Sequence, residues 1–148
     1  DDPESLEYWI NRRAVEFHIE IGPKTNLIWV DVDIHHEKDL EELKPIARKS
    51  LKRIESILRS EFGGAVKSYS SGKTGYHVCT QIKKPIKTDT VRKQLKSILS
   101  NEFKDEEIFT LGVAKKGQIR LDLSTLKNRG ILRAPYSMTE TGGVKKQL

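Results

Sequence analysis

The sequence predicts an α+β fold in which a mostly antiparallel sheet is flanked by two main helices. Several short segments alternate apolar and polar residues with the period of two that is typical of strands. Two longer segments repeat apolar residues every three or four positions, as amphipathic helices do. Turns rich in glycine, proline, serine and asparagine separate these segments. We therefore expect a single domain that spans residues 1–148.

The strands are predicted from this alternation. A short helix over residues 4–13 leads into a strand over residues 14–21. Turn residues 22–26 connect it to a second strand, residues 27–34, and we expect these two strands to form a hairpin. The further segments with strand character are residues 65–70, 75–82, 108–113, 118–123 and 131–137.

The two main helices are predicted from apolar spacing. The first carries Leu40, Leu43, Ile46, Ala47, Leu51, Ile54, Leu58 and Phe62 at helical intervals. Pro45 is expected to start or kink this helix, and Gly63 and Gly64 are expected to end it. Thr88 is a candidate N-cap for the second helix. The inner face of that helix is predicted to consist of Val91, Leu95, Ile98 and Leu99.

Composition narrows the class of protein. With 148 residues, 36% of them hydrophobic, the chain is long enough to bury a core. The single cysteine, Cys79, excludes an internal disulfide framework and a cysteine-rich zinc site, and it suits a cytoplasmic location. No apolar run approaches the roughly 18 residues of a membrane span, and no signal-peptide pattern opens the chain. The abrupt start at Asp1 suggests a piece of a longer protein.

Charge is unevenly distributed along the chain. The net charge is +6, but residues 1–44 carry 5 Lys and Arg against 12 Asp and Glu, whereas the remaining 104 residues carry 22 against 9. An acidic cluster with a basic remainder suits a cation site beside a nucleic-acid track. Solvated lysine-rich helix faces would explain part of the same excess.

Two aspartates alternate with large apolar residues in the strand 27–34. Asp31 and Asp33 are two residues apart, so they project from the same face. Carboxylates so close together repel each other, and burying them is costly, unless a cation lies between them. The pattern favours a Mg²⁺ or Mn²⁺ site. An ordinary solvent-facing pair of aspartates is the other interpretation.

The turn that precedes the strand 75–82 has the residues of a phosphate-binding loop. Gly72 lets the backbone approach an anion closely. Ser71 and His77 can hydrogen-bond phosphate oxygens, and Lys73 adds positive charge. A plain hairpin loop followed by a structural histidine is the alternative.

Three signals occur in order: Asp31-Val32-Asp33, Ser71-Gly72-Lys73-Thr74-Gly75-Tyr76-His77, and Asp122 in an apolar strand. In this order they resemble the archaeo-eukaryotic primase superfamily, whose motifs are DxD, SGxxGxH and a later hydrophobic residue followed by Asp. The likeness is strongest to the primase-like polymerase domain of prokaryotic end-joining ligases, and next to the archaeal small primase subunit. Residues 134–137, Ala-Pro-Tyr-Ser, and residues 16–18, Glu-Phe-His, extend it over residues 4–143.

The resemblance implies a primase-like, RRM-related sheet and a role for each matching residue. Asp31, Asp33 and Asp122 correspond to the catalytic, metal-binding carboxylates. Ser71 and His77 correspond to triphosphate contacts, and Gly72 and Lys73 lie between them. His18 corresponds to a histidine near the nucleotide in the end-joining branch. Arg133 lies where archaeal primases carry an arginine.

The implied reaction is metal-dependent nucleotidyl transfer with two Mg²⁺ or Mn²⁺ ions as cofactors. Nucleotides from NTP or dNTP would be added to a nucleic-acid 3′-hydroxyl on a template, in DNA priming during replication or in end-joining DNA repair. The implied partners are a nucleoside triphosphate, DNA as primer-template or broken ends, and a ligase or large primase subunit. No membrane partner is expected.

Three threonines depart from the family pattern. Thr74 replaces a Lys or Arg, Thr125 replaces a glutamine of the end-joining branch, and Thr139 replaces a His or Arg. These losses favour an alternative function, a catalytically inactive nucleic-acid-binding module with a primase-like fold. A two-metal nuclease that uses the same carboxylates is a further alternative, but it gives no reason for the phosphate-binding turn.

Overall fold

The computed structural model describes residues 18–72, 74–134 and 146–148. The helices are α1 (Leu40–Phe62) and α2 (Thr88–Glu102), and a short 3₁₀ turn (Glu37–Asp39) precedes α1. The strands are β1 (His18–Glu20), β2 (Lys24–Ile34), β3 (Ala65–Ser70), β4 (Gly75–Lys87), β5 (Phe109–Thr110), β6 (Ile119–Asp122), β7 (Ile131–Arg133) and β8 (Lys146–Gln147).

Six of these strands form one sheet in the order β5-β6-β2-β4-β3-β8. All neighbours in it are antiparallel except β5 and β6. A separate two-stranded sheet pairs β1 with β7. Two helices and a mostly antiparallel sheet confirm the predicted α+β fold class.

Strand β2 separates the core from the opposite face of the sheet. Its residues Ile28, Val30, Val32 and Ile34 are at most 1% exposed and belong to one apolar cluster with residues of both helices. Each such side chain contributes roughly 1.5–3 kcal/mol to stability through burial. Because side chains alternate along a strand, Asp31 and Asp33 lie on the face away from this core.

Helix α1 buries one stripe against the sheet. The stripe consists of Leu43, Ala47, Ser50, Leu51, Ile54 and Leu58. The helix begins at Leu40, so the prediction that Pro45 starts it is wrong, although a kink there stays a prediction. Gly63 and Gly64 have φ angles of 67° and 82°, which end the helix as predicted.

Thr88 begins helix α2 but does not cap it. The N-cap position belongs to Lys87, and no side chain makes a capping hydrogen bond there. The Thr88 hydroxyl donates instead to the carbonyl of Gly22, at 2.8 Å, and so ties the helix to the turn before β2. The predicted inner face is confirmed for Val91, Leu95 and Leu99, which are buried.

The predicted hairpin between the first two strands is wrong. Strand β2 pairs with β4 along most of its length and with β6 at residues 31–34, and β1 pairs with neither edge of it. Strand β1 pairs with β7 instead, and the backbone of Ile21 bonds to Arg129 and Gly130. The turn at residues 22–26 therefore does not determine which strand pairs with β1.

The bounds of the other strands agree with prediction to different degrees. Strand β3 covers the predicted residues 65–70, whereas β4 extends to Lys87. Strand β5 has only two residues, because the Thr110 hydroxyl accepts the N–H of Gly112 in a turn that ends it. The predicted helix 4–13, residues 14–17 and residues 135–137 lie outside the described residues. No helix within the described ranges combines the length and apolarity needed to cross a membrane.

Candidate active site

Asp31 lies between two cross-strand partners. Its Cα partner on β4 is His77, and its Cα partner on β6 is Asp122. Directly opposite residues of antiparallel strands point to the same face, with Cβ atoms about 4.5–5.5 Å apart. Residues from three distant parts of the chain therefore form one row, on the face of the sheet opposite the core.

Asp33 occupies the next row along the same face. Its partners are Gly75 on β4 and Arg120 on β6. A Cβ atom on Gly75 would lie 2.1 Å from the Val32 carbonyl oxygen and 2.8 Å from Asp33 Oδ1. Only glycine fits beside this carboxylate.

His77 is the basic neighbour of Asp31. Its Nε2 atom lies 3.3 Å from Asp31 Oδ1, and the side chains are only 8% and 20% exposed. Neither His77 Nδ1 nor Asp31 Oδ1 has a hydrogen-bond partner among the described residues, although both atoms are buried. Buried polar atoms are normally satisfied, so these two mark a place where a ligand can bind.

Burial and neighbouring charge act strongly on Asp33. Burial, followed by the negative charge of Asp31, raises the pKa of Asp33 from 3.8 to about 6. His35 and His77 oppose the shift, and Asp122 adds to it. The raised pKa of Asp33 therefore has two causes, its burial and the like charge of the neighbouring Asp31.

Asp122 has the expected position but a different environment. Its Oδ1 atom accepts the N–H of Ser124 at 2.7 Å, and its Oδ2 atom accepts the Ser124 hydroxyl at 3.0 Å. Arg120 Nη1 lies 3.2 Å from the same Oδ2. Both oxygens of this carboxylate are therefore engaged within β6 and the turn that follows it.

The acidic residues fit a divalent cation unequally. Asp31 and Asp33 fit one, because Asp31 Oδ1 has no hydrogen bond from the described residues, and burial together with the charge of Asp31 raises the pKa of Asp33. Asp122 fits less well, because Arg120 already forms an ion pair with it and Ser124 already donates two hydrogen bonds to it. Among residues 18–72, 74–134 and 146–148, no group of three or more His, Cys, Asp or Glu side chains is arranged to hold a metal ion. The three-carboxylate metal site stays a prediction.

A cleft of about 320 Å³ brings most of the other candidates together. The predicted site residues that line it are His18, Asp31, Asp33, Ser71, His77 and Arg133. Thr74 and Thr125, two of the positions that depart from the family pattern, line it as well. Asp122 does not line this cleft, and Lys73 and Thr139 lie outside the described residues.

The turn between β3 and β4 forms one wall of the cleft. The Ser71 N–H donates to the Gly75 carbonyl at 2.8 Å, and the Ser71 hydroxyl oxygen accepts the Gly75 N–H at 3.0 Å. Gly72, with φ of 80°, provides the reversal, and its N–H donates to the Ser70 hydroxyl oxygen at 3.3 Å. These bonds hold Ser71 beside His77, whereas Gly72 itself is not among the residues that line the cleft.

The opposite wall comes from the small sheet. His18 and Arg133 are Cα partners across β1 and β7. This sheet is held against the main one by the segment after β6, because the buried Trp29 donates from Nε1 to the Thr125 hydroxyl at 3.0 Å. The cleft therefore lies between the main sheet and the small sheet. The sequence pattern did not predict that the strands form two sheets.

Arg120 is the main site residue that the sequence analysis missed. It lies two residues before Asp122 in a predicted strand, so the same alternation that paired Asp31 with Asp33 pairs these two. Trp29 was missed in the same way, since it lies two residues before Asp31. In both cases the two-residue period of a strand was sufficient to predict that the residue shares a face with an aspartate.

The fold, a mostly antiparallel sheet with two helices on one face, is that of a primase-like polymerase domain. The solved polymerase domain of ligase D from Mycobacterium tuberculosis, in complex with DNA, matches the structure with a TM-score of 0.72 and 18% sequence identity. The match covers 95% of this chain and 54% of the mycobacterial chain, so the present chain spans about half of its length. No protein-family model and no curated protein matches the sequence. The likeness shows a shared fold.

Proposed function

We propose that the protein is a metal-dependent nucleotidyltransferase of the primase-polymerase type. It would add nucleotides from NTP or dNTP to a nucleic-acid 3′-hydroxyl on a template, in DNA priming or end-joining repair. The observation that carries the proposal is the row His77, Asp31 and Asp122 across three adjacent strands, on the open face of the sheet. Such a row combines acidic groups for cations with a donor for phosphate.

Each side of the cleft has a separate task in this proposal. Asp31 and Asp33 would hold Mg²⁺ or Mn²⁺, with Asp122 as a further ligand if Arg120 releases it. Cations bound there would supply Lewis-acid activation of a hydroxyl and neutralise phosphate charge. Ser71 and His77 would orient the phosphate oxygens of the nucleotide from the β4 side. His18 and Arg133 would face the nucleotide from the small sheet.

DNA is the proposed nucleic-acid partner. The mycobacterial domain of the same fold was solved in complex with DNA. The 104 residues after residue 44 carry 22 basic against 9 acidic side chains, which suits sequence-independent contact with a phosphate backbone. A ligase or a large primase subunit is the corresponding proposal for a protein partner.

Extension of a labelled primer tests this proposal. The wild type should lengthen the primer when Mn²⁺ and nucleoside triphosphates are present, and Asp31→Asn and Asp33→Asn should lose at least about a hundredfold in rate. Glu37→Gln, which removes an acidic charge from the 3₁₀ turn outside the cleft, is the matched control. Full extension by both aspartate variants would refute the metal assignment. Separate reactions with ribo- and deoxyribonucleotides, each with and without primer, would define the substrate.

An inactive nucleic-acid-binding module is the second candidate. The engagement of Asp122 by Arg120 and Ser124 favours it, because that carboxylate is not exposed to a cation. The two candidates differ in ligand-induced stability. If the protein is an enzyme, Mn²⁺ with a nucleoside triphosphate should raise the melting temperature of the wild type but not of Asp31→Asn. An inactive binder would show no shift with nucleotide and a shift with DNA.

A further inference from the structure

A second, smaller cavity lies on the other side of Asp122, where β6 faces helix α2. Its polar lining consists of Arg92 and Lys96 from α2, and Arg120, Asp122 and Ser124 from β6 and its turn. Strand β5 pairs with Ile119 and Arg120 only, so it does not cover the edge of β6 at Leu121 and Asp122. The volume is about 90 Å³, against about 320 Å³ for the main cleft. It suits a single small ionic group rather than a whole nucleotide.

The lining of this cavity is strongly basic. Arg92 and Lys96 are one helical turn apart, so they project from the same side of α2, and both line the cavity together with Arg120. The only carboxylate among the described lining residues, Asp122, already receives two hydrogen bonds from Ser124 and the ion pair from Arg120. The net charge that faces the cavity is therefore positive.

Structural ion pairs explain only part of this basic lining, because Arg120 pairs with Asp122 through Nη1 alone. Within the described residues, Arg92 and Lys96 take part in no ion pair. Arg120 Nε is buried and has no hydrogen-bond partner there either. Arg53 provides the contrast, because its guanidinium bonds to Glu102 and Glu106 and stacks on the ring of Phe103. Arg53 is thus a structural arginine, whereas the cavity arginines have capacity for an anion.

We propose that Arg92, Lys96 and Arg120 form a binding site for one backbone phosphate of the nucleic-acid strand. Guanidinium and ammonium groups are the usual partners of phosphate, and the cavity has the matching size. This inference goes one step beyond the proposed function and rests on it, because the proposed function supplies the nucleic-acid strand. The nucleotide phosphates would lie on the β4 side of the acidic pair, so the strand would lie on the β6 side.

Fluorescence anisotropy with a labelled oligonucleotide, without divalent cations, tests the site. Arg92→Gln and Lys96→Gln should each weaken binding about five- to tenfold and lower the salt dependence by about one counterion. Lys93→Gln removes the same charge from the same helix at a residue that does not line the cavity, so it should change binding less than about twofold. Arg92→Lys, which keeps the charge, should restore part of the affinity. Melting temperatures of all variants check that each one folds.

The outcomes separate this inference from the proposed function. Equal effects of Lys93→Gln and Lys96→Gln would mean diffuse attraction and would overturn the site, while primer extension by the wild type would leave the proposed function standing. A titration with inorganic pyrophosphate distinguishes the source of the phosphate. If Arg92→Gln weakened pyrophosphate binding but not DNA binding, the backbone assignment would be overturned. A wild type that binds no DNA would overturn both.

Discussion

Asp31 and Asp122 are Cα partners on neighbouring antiparallel strands, but their carboxylates have different surroundings. Asp31 Oδ1 is buried without a hydrogen bond from the described residues and lies 3.3 Å from His77 Nε2. Both oxygens of Asp122 are engaged by Ser124 and Arg120. The carboxylate on β6 is therefore held by its own strand and the turn that follows it, whereas Asp31 Oδ1 accepts no hydrogen bond from the described residues.

Arg120 should oppose cation binding. Arg120→Gln removes a positive charge beside Asp122 and opposite Asp33, so the affinity for Mn²⁺ should rise by roughly 1 kcal/mol, about fivefold. Isothermal titration calorimetry with Mn²⁺ would measure this change. Lys93→Gln, which removes the same charge outside the site, is the control. Weaker Mn²⁺ binding by Arg120→Gln would contradict the electrostatic argument.

The raised pKa of Asp33 predicts a pH dependence of stability. In the folded protein its pKa is about 6 instead of 3.8, so the folded state keeps a proton that the unfolded chain releases. The resulting stabilisation is complete below about pH 3.8 and is lost as the pH rises through about 6. Asp33→Asn imitates the neutral carboxyl, so its melting temperature should match the wild type near pH 4 and exceed it near pH 7.

Thermal unfolding in a chelator at several pH values would measure this difference. Asp105→Asn, at an exposed position outside the site, is the control and should follow the wild type throughout. Added Mn²⁺ should act in the opposite direction, because it binds the ionised carboxylate and so stabilises the wild type increasingly above about pH 6. A constant difference between Asp33→Asn and the wild type at all pH values would mean that Asp33 is not the titrating group.

Gly75 should tolerate no side chain. Gly75→Ala would place Cβ 2.1 Å from the Val32 carbonyl oxygen and 2.8 Å from Asp33 Oδ1, so β2 and β4 would have to separate beside the site. A cost of about 1–3 kcal/mol is expected, with a fall in melting temperature of roughly 2–4 °C for each kcal/mol. Gly22→Ala is the matched control, since the nearest atom to its Cβ would be 3.8 Å away. Equal melting temperatures for the two variants would be inconsistent with this contact.

The hydrogen bond between Trp29 and Thr125 should stabilise the small sheet against the main one. Thr125→Val leaves the Trp29 indole N–H, which is fully buried, without an acceptor, at a cost of about 1–3 kcal/mol. Trp29→Phe removes the donor as well, so Thr125→Val should cost less in that background. Urea unfolding of the four proteins in this double-mutant cycle would measure the coupling. Strict additivity would show that the bond contributes nothing.

The sequence predicted those parts of the fold that depend on neighbouring residues. The bounds of β3, the end of α1 at Gly63 and three residues of the inner face of α2, Val91, Leu95 and Leu99, were correct, because strand and helix periods are properties of short segments; Ile98 is only partly buried. The pairing of β1 was not, since nothing within residues 14–34 shows that β7 is its partner. Partner choice depends on residues 40 or more positions away.

The candidate site also has one part that the sequence predicts and another part that only the folded chain shows. Alternation within a strand was sufficient to place Asp31 beside Asp33, and it would have placed Arg120 beside Asp122, because pleating sends every second side chain to the same face. Long-range packing was needed to bring β4 and β6 to opposite edges of β2, and so to position His77 and Asp122 on either side of Asp31. It also placed Arg120 and Asp122 beside Arg92 and Lys96. Contacts between distant segments carry no local periodic signal, so these relationships appear only once the chain is folded.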